Sequence, residues 1–295
     1  MPPIPVLLGT WRFEPAAGLL LALGAAAYGA GVRRIGKSGG RWPKRRTLSF
    51  GLLGLGSYLA TACGFLGVYS PDLRWAFAIR VAVLLLVVPG LIALGRPLAL
   101  ARAAMPWGPA RRLCSLMLGR PLHLLGNPLV GPLVCMGLFA LMLTPAAGYA
   151  RTTPAAETLL TLALPILGLA LLLPATDTAH ARYSPLMVLE LLFIFIELMA
   201  DAIPGIALRL NTAILDRVPA AAGSSPAWLH PSPLHDQHLA GDWLWFICEM
   251  ADLPVHVLLI ARYLRSDAKE ARRLDALSDD EMEALAEAHL HGGRQ

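Results

Sequence analysis

Charge is scarce in this sequence. Asp, Glu, Lys and Arg make up 15% of its 295 residues, against about 25% in an ordinary soluble domain. With 56% hydrophobic residues beside it, that scarcity excludes water as the main solvent of the chain. Cysteine is sparse too. Cys63, Cys114, Cys135 and Cys248 are far apart and form no Cys-x-x-Cys pair, so neither a zinc ribbon nor a disulfide framework is indicated. Cys63, Cys135 and Cys248 fall in apolar runs and read as small buried hydrophobes. His-Glu-x-x-His, Gly-x-Ser-x-Gly and a phosphate-binding glycine loop are all missing, so no enzyme is expected. The net charge is +5, but the basic residues flank apolar runs instead of forming a stripe with interleaved aromatics, which argues against nucleic acid as a partner. Met1 to Glu14 has no basic start and the first apolar run ends in arginines, so no cleavable signal peptide is expected.

What is abundant is long apolar runs. A hydrocarbon core about 30 Å thick takes roughly 20 apolar residues of helix. Runs of this kind are Pro15–Val32, Leu48–Tyr69, Trp75–Gly95, Leu124–Leu143, Thr158–Pro174, Pro185–Leu208 and Trp243–Ala261. Proline, glycine and charge punctuate the loops between them, as at Gly39-Gly40-Arg41-Trp42-Pro43 and Ser224-Ser225-Pro226.

Lysine and arginine are retained on the cytoplasmic side of a membrane. The first loop (Arg33, Arg34, Lys37, Arg41, Lys44, Arg45, Arg46), the third (Arg96, Arg102, Arg111, Arg112, Arg120), Arg182 in the fifth and the tail after Ala261 hold nineteen of them. The opposite side holds five, Arg12, Arg74, Arg151, Arg209 and Arg217. The expected fold is an all-α integral membrane protein, a bundle of about seven transmembrane helices with the N-terminus outside and the C-terminus cytoplasmic. Its parts are an outer segment 1–14, a membrane domain 15–262 and a charged helical tail 263–295. Within the tail, Ser278-Asp-Asp-Glu281 ahead of Met282 and Leu285 has the pattern of a helix-starting capping box. The multi-pass bundle is expected in the cell inner (plasma) membrane.

An ionised side chain at the centre of a spanning helix costs about 2.5–3.5 kcal/mol on insertion scales and calls for a partner or a wet cavity. The sixth run carries Glu190, Glu197 and Asp201; the seventh carries Glu249, Asp252 and His256; the third carries Arg80. In each acidic run the spacing puts the three groups on one helical stripe. Counting depth from the outer end brings Arg80 and Asp201 to similar levels, which predicts an interior Arg80–Asp201 pair with Glu197 and Glu249 close by. Such groups either tie helices together by hydrogen bonds or line a path for an ion or proton. In the loop before the seventh run, His230, His235 and His238 stand near Asp236. Imidazoles at that spacing are candidate metal ligands, and solvated loop histidines are the alternative.

Several stretches then read together. They are Arg41-Trp42-Pro43-x-x-Arg46, Pro89-Gly-Leu-Ile-Ala-Leu-Gly95-Arg-Pro97-Leu98, Pro132-Leu-Val-Cys-Met-Gly-Leu-Phe139 and Asp236-Gln237-x-Leu239-x-Gly241-x-x-Leu-Trp245. Glu249, Leu253-Pro254 and the run from Arg262 to Asp275 follow. In this order they resemble the multi-span cytochrome c oxidase assembly factors, CtaG-like membrane proteins implicated in copper handling. The resemblance implies a membrane-embedded assembly factor or chaperone for a haem–copper oxidase. Its partners would be the lipid bilayer, oxidase subunits or other assembly factors, with copper at most transient.

The family's intramembrane histidines are absent, however. Their places hold Phe77 and Val81, Thr153, Glu157 and Thr161, and Asp201, none of them an imidazole, thiolate or thioether. An arginine–carboxylate arrangement in place of a metal site is the reading that follows. Two other classes stay open: a small ion- or proton-coupled transporter along the two acidic stripes, and an adaptor with a signalling tail.

Overall fold

The computed structural model describes residues 2–105, 130–177, 196, 200, 202–218 and 227–275. Among them there is no strand; regular structure is helical throughout. A short helix α1 (Ile4–Gly9) precedes α2 (Pro15–Lys37), α3 (Lys44–Tyr69), α4 (Arg74–Ala93) and α5 (Pro97–Ala104). After the gap come α6 (Val130–Ala140), α7 (Pro145–Thr152), α8 (Pro154–Asp177) and α9 (Pro233–Asp275), with residues 202–210 helical before α9.

Four helices among the described residues are long and apolar enough to cross a membrane: Pro15–Lys37, Lys44–Tyr69, Arg74–Ala93 and Pro154–Leu172. The pair Leu133–Leu143 and Pro145–Thr152, bent by 87°, makes a fifth if it is one span. The first, second, third and fifth apolar runs thus lie on helices of spanning length. The described part of the fourth runs from Val130 to Leu143 and the bend follows at its end, while most of the sixth falls outside the described residues. The bend has a local cause. Pro145 cannot extend the ladder of α6, and the Thr144 side chain accepts the Ala146 N–H at 3.2 Å, capping a new helix in a new direction. The seventh run lies on α9, which continues as one helix to Asp275; residues 276–295 are outside the described set.

α4 is the centre of the bundle and touches α3, α8 and α9. Ala76, Ala78, Ala82, Leu84, Leu85 and Val88 of α4 are fully buried. By contrast Leu19 and Leu23 of α2 stay about 60% exposed, as befits a helix whose outer face meets lipid. Around Val83–Val87 the helix widens into a π-turn just before Pro89, whose missing N–H breaks the ladder there. The facing residue of α8 is Gly168, where a Cβ would collide with the Leu85 carbonyl oxygen. A small residue here lets the two backbones approach, the device that packs helices where lipid is as apolar as the side chains.

The arginine-rich first loop is pinned back on the bundle. The Trp42 indole N–H donates to the Tyr28 hydroxyl (2.9 Å), which donates to the Gly95 carbonyl (2.8 Å). Tyr28 stacks on Phe50, and the Arg46 guanidinium lies 5.1 Å from the Trp42 ring centroid. This accounts for two of the quoted stretches together: Trp42 and Arg46 from one, Gly95 from the other, joined at one end of α2, α3 and α4.

Candidate functional site

Two buried ionic networks lie toward the opposite ends of α2, α3 and α4, near the N-terminus of α4. The first surrounds Arg80, which is 3% exposed. Its Nη1 donates to Ser70 Oγ at 2.7 Å and to Glu157 Oε1, and its Nη2 donates to Thr161 Oγ1 at 2.8 Å. The Thr161 hydroxyl donates to the Glu157 carbonyl, which leaves its lone pairs to the arginine. Glu14 Oε2 stands 3.6 Å from Arg80 Nη2, and Arg12 stands 3.7 Å from Glu157. Charges of both signs therefore alternate. Phe77, Val81, Leu84, Leu160 and Leu164 wall a cavity of about 10 Å³ beside the pair.

Arg80 does face the bundle interior and meets a carboxylate there. That carboxylate is Glu157, from the first turn of α8. Glu190, Glu197 and Asp201 lie outside the described residues, and of His256 only the backbone, on α9, is described. Asp252 is half-buried on α9. Glu249 accepts the Trp245 indole N–H at 3.1 Å on a partly exposed face of α9.

The second network joins Arg74, Arg151, Asp216 and Asp236. Leu73 offers α4 no side-chain cap, and Asp236 supplies one from the start of α9. Its carboxylate accepts the backbone N–H groups of Arg74 (2.8 Å) and Trp75 (3.1 Å), two of the orphan donors of a helix start. Arg74 Nη2 donates to Asp216 Oδ1 at 2.8 Å, Arg151 Nη2 donates to Asp216 Oδ2 at 3.0 Å, and Arg151 Nη1 donates to the Pro71 carbonyl. Burial pushes the Asp236 carboxyl up from its ordinary value, against the pull of those two N–H groups and of Arg74.

Gln237 fastens the preceding loop. It accepts the Leu215 N–H at 2.9 Å and donates to the Ala213 carbonyl at 3.0 Å. Gly241 crosses Gly205 so closely that a Cβ on Gly205 would lie 2.8 Å from the Gly241 carbonyl oxygen. The Asp236–Trp245 stretch is thus a joint: a cap, a loop clamp and a close helix crossing in successive turns.

The loop histidines do not form a ligand set. His238 Nε2 lies 3.1 Å from the Asn211 carbonyl, His235 is exposed, and His230 packs into the partly buried loop ahead of α9. Among the described residues no group of three or more His, Cys, Asp or Glu is arranged to hold a metal ion.

The family described as cytochrome c oxidase caa3 assembly factor matches residues 26–266, most of the chain, including Arg80, Glu157 and the second network but not Arg12 and Glu14. This chain belongs to the cytochrome c oxidase caa3 assembly factor family. Among curated relatives, uncharacterized proteins of Mycobacterium bovis and Mycobacterium tuberculosis are each 28% identical over 310 residues, covering 96% of this chain and 44% of theirs. The chain therefore spans less than half the length of the curated relatives it matches. No solved structure matches it.

In this member of the caa3 assembly factor family, the donor chemistry around Arg80 does not fit copper. Phe77 and Val81 carry no donor atom, Thr161 and Glu157 offer only hard oxygens, and a guanidinium already holds both. Copper favours imidazole, thiolate or thioether, and a fixed cation repels another.

Sequence reasoning located Arg80 but missed Glu14, Arg12, Arg74, Arg151 and Asp216. The arginines among these were legible only as topology signals, since nothing in a loop's spacing says which of them turns inward.

Proposed function

We propose that this chain is a membrane-embedded assembly factor, or chaperone, for a haem–copper (cytochrome c) oxidase. It works as a scaffold for oxidase subunits or other assembly factors, and the Arg80 pocket takes no part in copper coordination. The match to the family over residues 26–266 carries this reading. The bundle crosses the cell inner (plasma) membrane seven times, with 1–14 outside and 263–295 cytoplasmic, a reading supported by nineteen basic residues against five and by the helices of spanning length. Arg80, Glu190, Glu197, Asp201, Glu249, Asp252 and His256 are the intramembrane polar set. Asp236, Gln237, Gly241 and Trp245 form the joint that positions it.

Deleting the gene tests the function. Oxidase activity and the haem absorption of assembled oxidase are expected to fall while transcripts of the oxidase subunits hold steady, and added copper is expected not to restore them. Unchanged oxidase would overturn the reading. Ion flux in proteoliposomes that Asp201→Asn abolishes would favour transport along the acidic stripes instead.

A further inference from the structure

The segment ahead of α2 is not idle chain. Residues 2–14 lie beside the Arg80 network, which Arg12 and Glu14 approach with charges of both signs. The Arg12 N–H donates to the Cys63 carbonyl at 2.8 Å and Arg12 Nη2 to the Gly67 carbonyl at 3.1 Å, so the segment is tied to the end of α3. Arg12 and Glu14 then approach Glu157 and Arg80 to 3.7 and 3.6 Å, completing the alternation of charge.

The other face of the segment is apolar and open. Val6 packs inward against the cluster of Phe65, Leu73 and Ala76, while Ile4 and Leu8 are at least 70% exposed. Trp11 and Phe13 are also exposed, and the Phe13 ring folds back to within about 3 Å of where a Cβ on Gly18 would stand. That places it on α2 just ahead of Leu19 and Leu23, whose exposed side chains face lipid. The apolar face of the segment is therefore continuous with the lipid-facing side of a spanning helix. Aromatic and aliphatic side chains at such a level seat in the boundary between headgroups and acyl chains.

We propose that residues 2–14 form a strap that uses the lipid interface as its second support and seals the Arg80–Glu157 pocket from the adjoining aqueous phase. Its partner is the bilayer surface, through Ile4, Leu8, Trp11 and Phe13. Its latch is the pair of contacts from Arg12 and Glu14. Loosening either support opens the pocket.

Ser70 reports on the seal, because its hydroxyl touches Arg80 and the residue is 1% exposed. The full chain carrying Ser70→Cys, with Cys63, Cys114, Cys135 and Cys248 changed to Ala, is reconstituted in phospholipid vesicles and labelled with a membrane-impermeant thiosulfonate. With the strap intact, labelling is expected to be slow. It should rise at least tenfold both in Arg12→Gln/Glu14→Gln, which cuts the latch, and in Trp11→Ser/Phe13→Ser, which cuts the lipid seat. Far-ultraviolet circular dichroism and elution volume, unchanged in both, identify opening as distinct from unfolding. A second reporter, Thr161→Cys with Ser70 restored, repeats the comparison if Ser70→Cys does not fold. An unchanged rate in either pair, or fast labelling with the strap intact, overturns the proposal.

Discussion

An arginine buried beneath the end of an apolar helix has few ways to exist. The structure surrounds Arg80 with Glu157, Glu14, Ser70 and Thr161. Removing one side of such a pair leaves an uncompensated buried charge and costs about 3–5 kcal/mol, whereas replacing both sides by apolar groups is often neutral or stabilising. Arg80→Ala is therefore expected to lower stability by several kcal/mol, and Arg80→Leu/Glu157→Leu to lie near wild type. Thermal unfolding in detergent micelles checks both; equal losses in the single and double variants would contradict the account. Asp236 is held differently, as the cap of a helix that is not its own. Loss of a cap costs about 0.5–2 kcal/mol, and Asp236→Ala also strips a partner from buried Arg74. A larger drop in melting temperature than for Glu249→Ala, on the exposed face of α9, is the expected outcome in the same assay.

At the scale of elements, glycine decides which helices can meet. A Cβ on Gly168 would strike the Leu85 carbonyl, and one on Gly241 would strike the Gly205 carbonyl. Gly168→Val and Gly241→Val are each expected to abolish monodisperse elution of the purified protein, whereas Gly137→Ala, with open space around it, should elute as wild type. Elution of the two valine variants as wild type would contradict the crossings.

Most helices of spanning length were legible in the sequence because unbroken apolar runs have one main explanation. The reach of Glu157 was not. The fifth run was read from Thr158, which left Glu157 one residue outside it, whereas Pro154 opens the helix a turn earlier and lifts the acid to the level of Arg80. The Asp201 partner rested on depth alone, and Asp201 lies outside the described residues. The tail after Ala261 was set apart by its charge; Arg, Lys, Glu and Ala are good helix formers, and α9 runs on to Asp275. The quoted family stretches, by contrast, mark positions whose packing roles only coordinates reveal: Trp42 with Tyr28 and Gly95, Asp236 with the start of α4.

For the molecule as a whole, the two networks, the Gly205–Gly241 crossing and the Asp236 cap tie α2, α3, α4, α8 and α9 into one body at the strap end. The proposed orientation puts that end outside. Ser38→Cys, just past α2, is then expected to react with an impermeant thiol reagent only in inside-out vesicles; reaction from right-side-out vesicles would reverse the topology. In the molecule's interior a guanidinium–carboxylate pair occupies the place where the family resemblance implies imidazoles. Copper content of the full chain, purified from copper-supplemented cells, tests it most directly. The account predicts copper far below one ion per chain, unchanged by Glu157→Gln. One copper per chain that Glu157→Gln removes would contradict it.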